Sequence, residues 1–249
     1  ARGQPINLAV RDALVPLDQF QGFDELKKQY EATVLTPYTF QNKVYGLPIT
    51  LDYHLLFIRD DIFDELGLQV PDTWTELYDI LPTLQRRNMT VGLPYTTMSS
   101  QATVDGGMGA KDLFSALVLQ RGGTFYNENA SKAILDSKNV MDAFKQWTEY
   151  YQKYELPLTY DFYNRFRSGE MPMGLAPYSM FNVLYIMAPE IRNLWEMRPV
   201  FGVRQEDGSV NNRVEGDGSG AIAFSHVKNP EDAFTFLRWW TGEEAQTLY

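Results

Sequence analysis

An α/β fold of layered helices and strands is predicted by three observations. Amphipathic helical stretches alternate with short β-like runs; no internal repeat or low-complexity linker interrupts them; and 249 residues at 44% hydrophobic and 22% charged hold enough apolar material for one large or two small packed domains. The strand candidates are residues 44–51, 55–59, 89–93, 171–176, 199–203 and 219–224, short and rich in β-branched and apolar side chains. Set among helices in this order, they fit a three-layer sheet domain.

The helices announce themselves through their ends. Asp60 and Asp61 fall in a first turn, where the helix dipole favours negative charge. Thr73-Trp74-Thr75-Glu76 is a capping box, in which the threonine oxygen and the glutamate satisfy each other's free amide donors, and Trp74, Leu77 and Leu81 form the apolar stripe that follows. Pro82 lies in the same helix and removes one hydrogen bond, a cost of about 3 kcal/mol that predicts a kink. Another helix is expected from Asp112 to Gln120. Ser137 opens a longer one, ending near Tyr154, with Val140, Phe144, Trp147 and Tyr151 as its buried face. Asn229-Pro230 reads as N-cap and first helical residue, with Ala233, Phe236, Leu237 and Trp240 buried. Glu243 and Glu244 repeat the acidic first-turn pattern.

Composition narrows the function. A net charge of −10 with no basic stripe repels polyanions, so nucleic acid is excluded as a partner. No apolar run is long enough for a membrane span, and Ala1-Arg2-Gly3-Gln4-Pro5 lacks the apolar core of a signal peptide, so a soluble chain already trimmed of its leader is expected. Zero cysteines remove disulfides and thiolate chemistry. Fifteen tyrosines, fifteen phenylalanines and five tryptophans are a generous supply of rings, most of them destined for the core and some available to grip the apolar face of a sugar.

Catalytic patterns fail one after another. With only His54 and His226 there is no His-rich zinc site and no HExxH, and no metal or cofactor is expected. Gly216-Asp217-Gly218-Ser219-Gly220 lacks the GxSxG spacing of a nucleophile elbow and reads as a turn into a strand. Gly106-Gly107-Met108-Gly109 lacks the lysine and hydroxyl of a phosphate loop. The acidic pairs are explained by helix dipoles rather than by acid–base work.

A series of segments carries information through its order: Tyr45-Gly46-Leu47-Pro48, Asp52 and residues Leu56 to Phe63; Gly67-Leu68 with Pro71 to Leu77; Phe166 to Met173; the aromatic turn Pro177-Tyr178-Ser179-Met180-Phe181; Ala188 to Ile191 with Leu194-Trp195; and Gly218 to Gly220 ahead of Asn229 to Thr241. In this order, over most of the chain, they resemble extracellular solute-binding protein family 1, the sugar-capturing components of ABC importers, and within it a long Gram-positive subgroup. The first of them resembles the family's crossing strand and the first helix of its second lobe.

The resemblance implies a two-lobe periplasmic-binding-protein type II fold. Residues 1–48 and 215–249 would form a partial first lobe, residues 49–214 a complete second lobe, and crossings near Gly46 and Glu215 the hinge. The family's opening strand and helix would precede Ile6 and its closing helices would follow Tyr249. It further implies a monomer that captures an oligosaccharide in the cleft between lobes, closes on it by differential affinity, and delivers it to the membrane subunits of the importer. It also implies a cell-surface lipoprotein whose lipid-carrying leader lies outside this chain. Two departures stand out: Arg59 occupies a position where the family usually has asparagine, and tyrosine and phenylalanine replace the usual tryptophan of the aromatic turn, which points to a ligand other than maltose-like sugars.

Among the residues, Asp52 matches an acidic position on the crossing strand, where a carboxylate accepts hydroxyl hydrogen bonds, with a structural hydrogen bond as the alternative. Tyr178 and Phe181 are candidate stacking surfaces, with core packing the competitor. Tyr95 precedes a polar loop, Asp217 sits at the returning crossing or else caps a turn, and His54 alternates with Asp52 and shares its face, or else is a satisfied histidine at the lobe surface. Trp195 is read as packing. Two rivals remain: a carbohydrate-active enzyme, which requires two carboxyls flanking one bond, and a surface interaction module without a small ligand.

Overall fold

The computed structural model describes residues 4–93 and 110–248. The chain forms two compact units, one made of residues up to Asp52 together with those from Gly216 onward, the other running from Tyr53 to Glu215. Its first stretch holds helices α1 (Gln4–Ala9), α2 (Phe23–Lys27) and α3 (Ala32–Leu35) and strands β1 (Thr39–Phe40), β2 (Lys43–Val44) and β3 (Gly46–Pro48). There follow β4 (Asp52–Arg59), α4 (Asp60–Leu66), α5 (Trp74–Arg86), β5 (Val91–Gly92), α6 (Ala110–Gln120), α7 (Lys138–Gln152), α8 (Phe162–Ser168), β6 (Met173–Pro177), α9 (Met180–Met187), β7 (Trp195–Arg198), β8 (Val203–Arg204) and β9 (Val210–Asn211). The returning stretch carries β10 (Gly216–Asp217), β11 (Gly220–Ile222), α10 (Pro230–Trp240) and α11 (Glu243–Leu248).

In the larger unit a mixed sheet runs in the order β7, β4, β6, β5, antiparallel except for the β5–β6 pair. Alternation along β4 divides its side chains between two cores. Leu56 and Ile58 join Met173 and Leu175 against Trp74, Leu77 and Leu81 of α5, Leu117 of α6 and Val140 of α7. Phe57 faces the other way, into Phe162 and Phe166 of α8 and Met180 and Leu184 of α9. Helices on both faces of one sheet are the predicted three layers. Trp195 opens an edge strand, Trp195–Arg198, paired with β4, which no expected strand covered, and residues 199–202 of the expected fifth strand are not strand.

The capping box forms as expected, with Thr73 Oγ1 accepting from the Glu76 amide at 3.2 Å and Glu76 Oε2 accepting from the Thr73 amide at 3.1 Å. The helix then continues through Pro82 to Arg86. Two buried stripes differ from expectation by one position. On α7 the buried residues are Val140, Ala143, Gln146 and Tyr150, while Phe144 is 45% exposed and Trp147 and Tyr151 are only partly buried. The inward face turns because Gln146 accepts from Arg121 and donates to Tyr150 Oη at 2.6 Å, a polar group that needs those partners once buried. On α10 the buried pair is Phe234 and Leu237; Phe236, expected inside, is 56% exposed, where it meets Trp239 and Trp240, and Ala233 and Trp240 are half-buried.

Arg59 acquires a structural role. Its side chain is buried, it pairs through two nitrogens with both oxygens of Asp61 at 2.8 and 2.7 Å, and its third nitrogen donates to the Phe166 and Arg167 carbonyls at 3.0 and 3.1 Å. A guanidinium at the C-terminal end of α8 satisfies carbonyls that have no partner within the helix.

The smaller unit has its own core of Leu17, Phe23, Leu26, Tyr38, Val44, Leu47, Phe234 and Leu237. Its two chain segments are knit by the β3–β11 pair and by the Val15 amide donating to the Ala223 carbonyl at 2.9 Å. Two glycines of the predicted turn are there because nothing larger fits: a Cβ at Gly218 would lie 2.1 Å from the Thr50 carbonyl oxygen, and one at Gly220 2.2 Å from the Tyr38 ring.

Candidate ligand-binding site

The expected site residues fall in different settings. Asp52 opens β4 and is half-buried. His54 is buried at 6% exposure and, by strand alternation, faces the side of Leu56 and Ile58. Asp217 lies in β10. Tyr95 lies outside the described residues, as do Gly106 to Gly109. Tyr178 and Phe181 are brought together, and with them two rings that sequence reasoning passed over.

Those four rings form a ladder within the larger unit. In the β4–β6 register His54 faces Pro177, so one position further Tyr53 faces Tyr178, and the Tyr178 amide donates to the Tyr53 carbonyl at 2.9 Å. Their rings stand 5.9 Å apart, centroid to centroid, at 9° between planes. The chain then turns into α9, which carries Phe181 and Tyr185 four residues apart on one face. Tyr178 to Phe181 is 6.3 Å at 11°, and Phe181 to Tyr185 is 5.6 Å at 12°. At the far end the Arg192 guanidinium carbon sits 4.5 Å from the Tyr185 ring centroid, and its Nη2 donates to the Tyr185 carbonyl at 3.0 Å.

The ladder faces solvent yet is backed by core. Tyr53, Tyr178 and Tyr185 are 40%, 45% and 48% exposed. Phe181 meets Trp195 edge-on at 5.8 Å, and Trp195 in turn packs on Phe57 and Phe166. Trp195 is therefore packing, as expected, and what it supports is the ladder. Tyr185 lies beyond the segment that carried the family resemblance; its four-residue spacing from Phe181 was the signal available for it.

A solvent-facing row of near-parallel rings suits the holding of a ligand that is itself ring-shaped and apolar on its faces. Among the described residues no three histidine, aspartate or glutamate side chains are grouped to hold a metal ion. No helix among them is long and apolar enough to cross a membrane.

The architecture is of the α/β class, and its larger unit carries an exposed aromatic platform. The family model described as bacterial extracellular solute-binding protein matches residues 3–247, and the chain belongs to that family. An ABC transporter solute-binding protein from Thermotoga lettingae, bound with α-D-tagatose, is similar in structure at a TM-score of 0.76 and 21% identity, over 98% of this chain and 62% of that one. A cyclic α-maltosyl-1,6-maltose binding protein from Arthrobacter globiformis is similar at 0.75 and 20%, over 97% and 59%. A Mycobacterium tuberculosis protein in complex with glycerophosphocholine is similar at 0.75 and 16%, over 97% and 58%. A Brucella abortus binding protein is 35% identical over 63 residues, 25% of this chain and 15% of that protein. The chain spans about 60% of the length of the solved structures it matches.

Proposed function

We propose that this protein captures an oligosaccharide outside the cell and delivers it to an ABC importer, as a lipid-anchored surface protein without catalytic activity of its own. The observation that carries the reading is the solvent-facing ladder of Tyr53, Tyr178, Phe181 and Tyr185, whose near-parallel rings offer stacking surface to pyranose faces. Asp52 accepts hydrogen bonds from sugar hydroxyls, and Tyr95 and Asp217 contribute polar contacts, whereas His54, buried on the side of Leu56 and Ile58, supports the strand from behind. Membership of the solute-binding family supports capture over chemistry, and neighbours bound to tagatose or named for cyclic maltosyl-maltose support a carbohydrate.

Thermal unfolding against a panel of oligosaccharides tests this, since ligand at 100 times Kd stabilises by about 2.7 kcal/mol. The expected result is a rise in Tm of several degrees that Asp52→Ala and Tyr178→Ala each weaken. No shift across the panel would sink the carbohydrate assignment.

A further inference from the structure

We infer that Tyr185 forms an outlying sugar subsite, positioned by Arg192, and that the ligand is a linear chain of several sugar rings rather than a mono- or disaccharide. The inference rests on the carbohydrate reading above and adds to it the extent of the ligand.

Flat groups in van der Waals contact lie about 3.5 Å apart. Near-parallel rings whose centroids are 5.6 to 6.3 Å apart are therefore displaced sideways by most of a ring's width, and the ladder is a staircase rather than a column. A staircase leaves part of each step open, which agrees with Tyr178 and Tyr185 remaining nearly half exposed although each has ring neighbours. Each step is comparable with the advance of one sugar ring along a glycan chain. A monosaccharide would use one step and leave the others idle.

Scattered exposed aromatics are ordinary on a protein surface and need no explanation. Four in succession, within 12° of parallel from one to the next and closed by a cation, are not scattered. Arg192 is held at two points of the same residue, its guanidinium over the Tyr185 ring and its Nη2 on the Tyr185 carbonyl. That contact fixes the ring's rotamer before any ligand arrives, which lowers the ordering cost of stacking on it. Arg192 is thus a positioning residue and Tyr185 the contact.

Calorimetric titration of the purified protein with linear α-1,4- and β-1,4-linked gluco-oligosaccharides of two to six units tests the inference. Affinity should rise by about tenfold or more between the two-unit and the five-unit ligand of the preferred linkage, the worth of one good aromatic contact. Tyr185→Ala should remove that rise, and Tyr185→Phe should keep it. Arg192→Ala should reduce the rise in part, a length dependence that a merely structural arginine would not affect. An affinity independent of length, or a five-unit affinity that Tyr185→Ala leaves unchanged, overturns the inference and leaves capture standing. No binding of any oligosaccharide by the unaltered protein overturns both.

Discussion

The indole N–H of Trp74 donates to Gln120 Oε1 at 2.7 Å in the interior of the larger unit. The amide nitrogen of the same Gln120 donates to the Phe201 and Arg213 carbonyls at 2.9 and 3.2 Å, so one side chain ties the start of α5 to the segments flanking the β8–β9 hairpin. Gln120→Leu keeps the volume and strands three polar groups. Each buried unsatisfied group costs about 1–3 kcal/mol, so a loss of about 3 kcal/mol is expected, read as a lower urea midpoint at unchanged m-value.

Arg59→Asn installs the residue common in the family. Asparagine cannot reach both the end of α8 and Asp61, so the Phe166 and Arg167 carbonyls lose the guanidinium, Phe166 keeping the Gly169 amide at 3.2 Å. A loss of about 2 kcal/mol is expected, given that hydrogen bonds to charged groups are worth about 1.5–3 kcal/mol. Thermal denaturation checks this; a change within about 0.5 kcal/mol, typical of a neutral surface position, would assign Arg59 no structural role.

The register of α10 predicts unequal partners. Phe234→Ala should cost about 3–5 kcal/mol, as for a fully buried ring, and Phe236→Ala less than about 1 kcal/mol, measured by chemical denaturation. The sequence pattern alone ranked them in the opposite order.

Glu76 responds to acid. Its carboxyl is held below the ordinary glutamate range by the Asp72 amide first, against some desolvation, and then by Arg204 and Thr73. A depressed folded pKa means that its stabilisation is present above the ordinary range and is lost as pH falls through the lowered value. Unfolding midpoints recorded from neutral pH downward should therefore decline less steeply for Glu76→Gln than for the unaltered protein.

Gly218→Ala places a methyl against the Thr50 carbonyl oxygen, which is backbone and cannot swing aside. Thr50 and Ser219 are further locked by their hydroxyls at 2.7 Å and by the Thr50 amide on the Ser219 carbonyl at 3.2 Å. Destabilisation of about 3 kcal/mol is expected, the upper end of what overpacked sites cost, seen as a lower thermal unfolding midpoint. Gly67, which has open space around it at a left-handed φ of +63°, should tolerate asparagine at less than about 1 kcal/mol.

The α/β class and the two-lobe family were legible because they depend on many weak signals that agree: the Thr73–Glu76 box, the Asn229 cap and the order of segments from Tyr45 to Thr241. The faces of α7 and α10 were less legible. On α7, Ala143 and Phe144 lie three and four residues after Val140 and offer two adjacent apolar stripes, while on α10 Phe234 and Phe236, two residues apart, lie on nearly opposite faces; in both helices tertiary neighbours decide which is buried. The edge strand β7 alternates apolar and polar residues, with Trp195 and Met197 packed on the Phe57 core, but a run of four residues is too short to stand out without β4 beside it. In the candidate site, Tyr178 and Phe181 were recognised by likeness, whereas Tyr53 and Tyr185 required the strand pairing and helix start that set them beside those two.

The ladder has two authors that share no arithmetic. Tyr53 and Tyr178 are set side by side by strand pairing, where side chains repeat every second residue, whereas Phe181 and Tyr185 are set by a helix, where neighbours recur every fourth. Substitution can change one rung at a time, but loss or gain of a single residue in β4, or between Pro177 and Phe181, would throw the two halves out of step together. In a lineage of such proteins, the length of those two stretches would be inherited more strictly than the identity of any ring they carry.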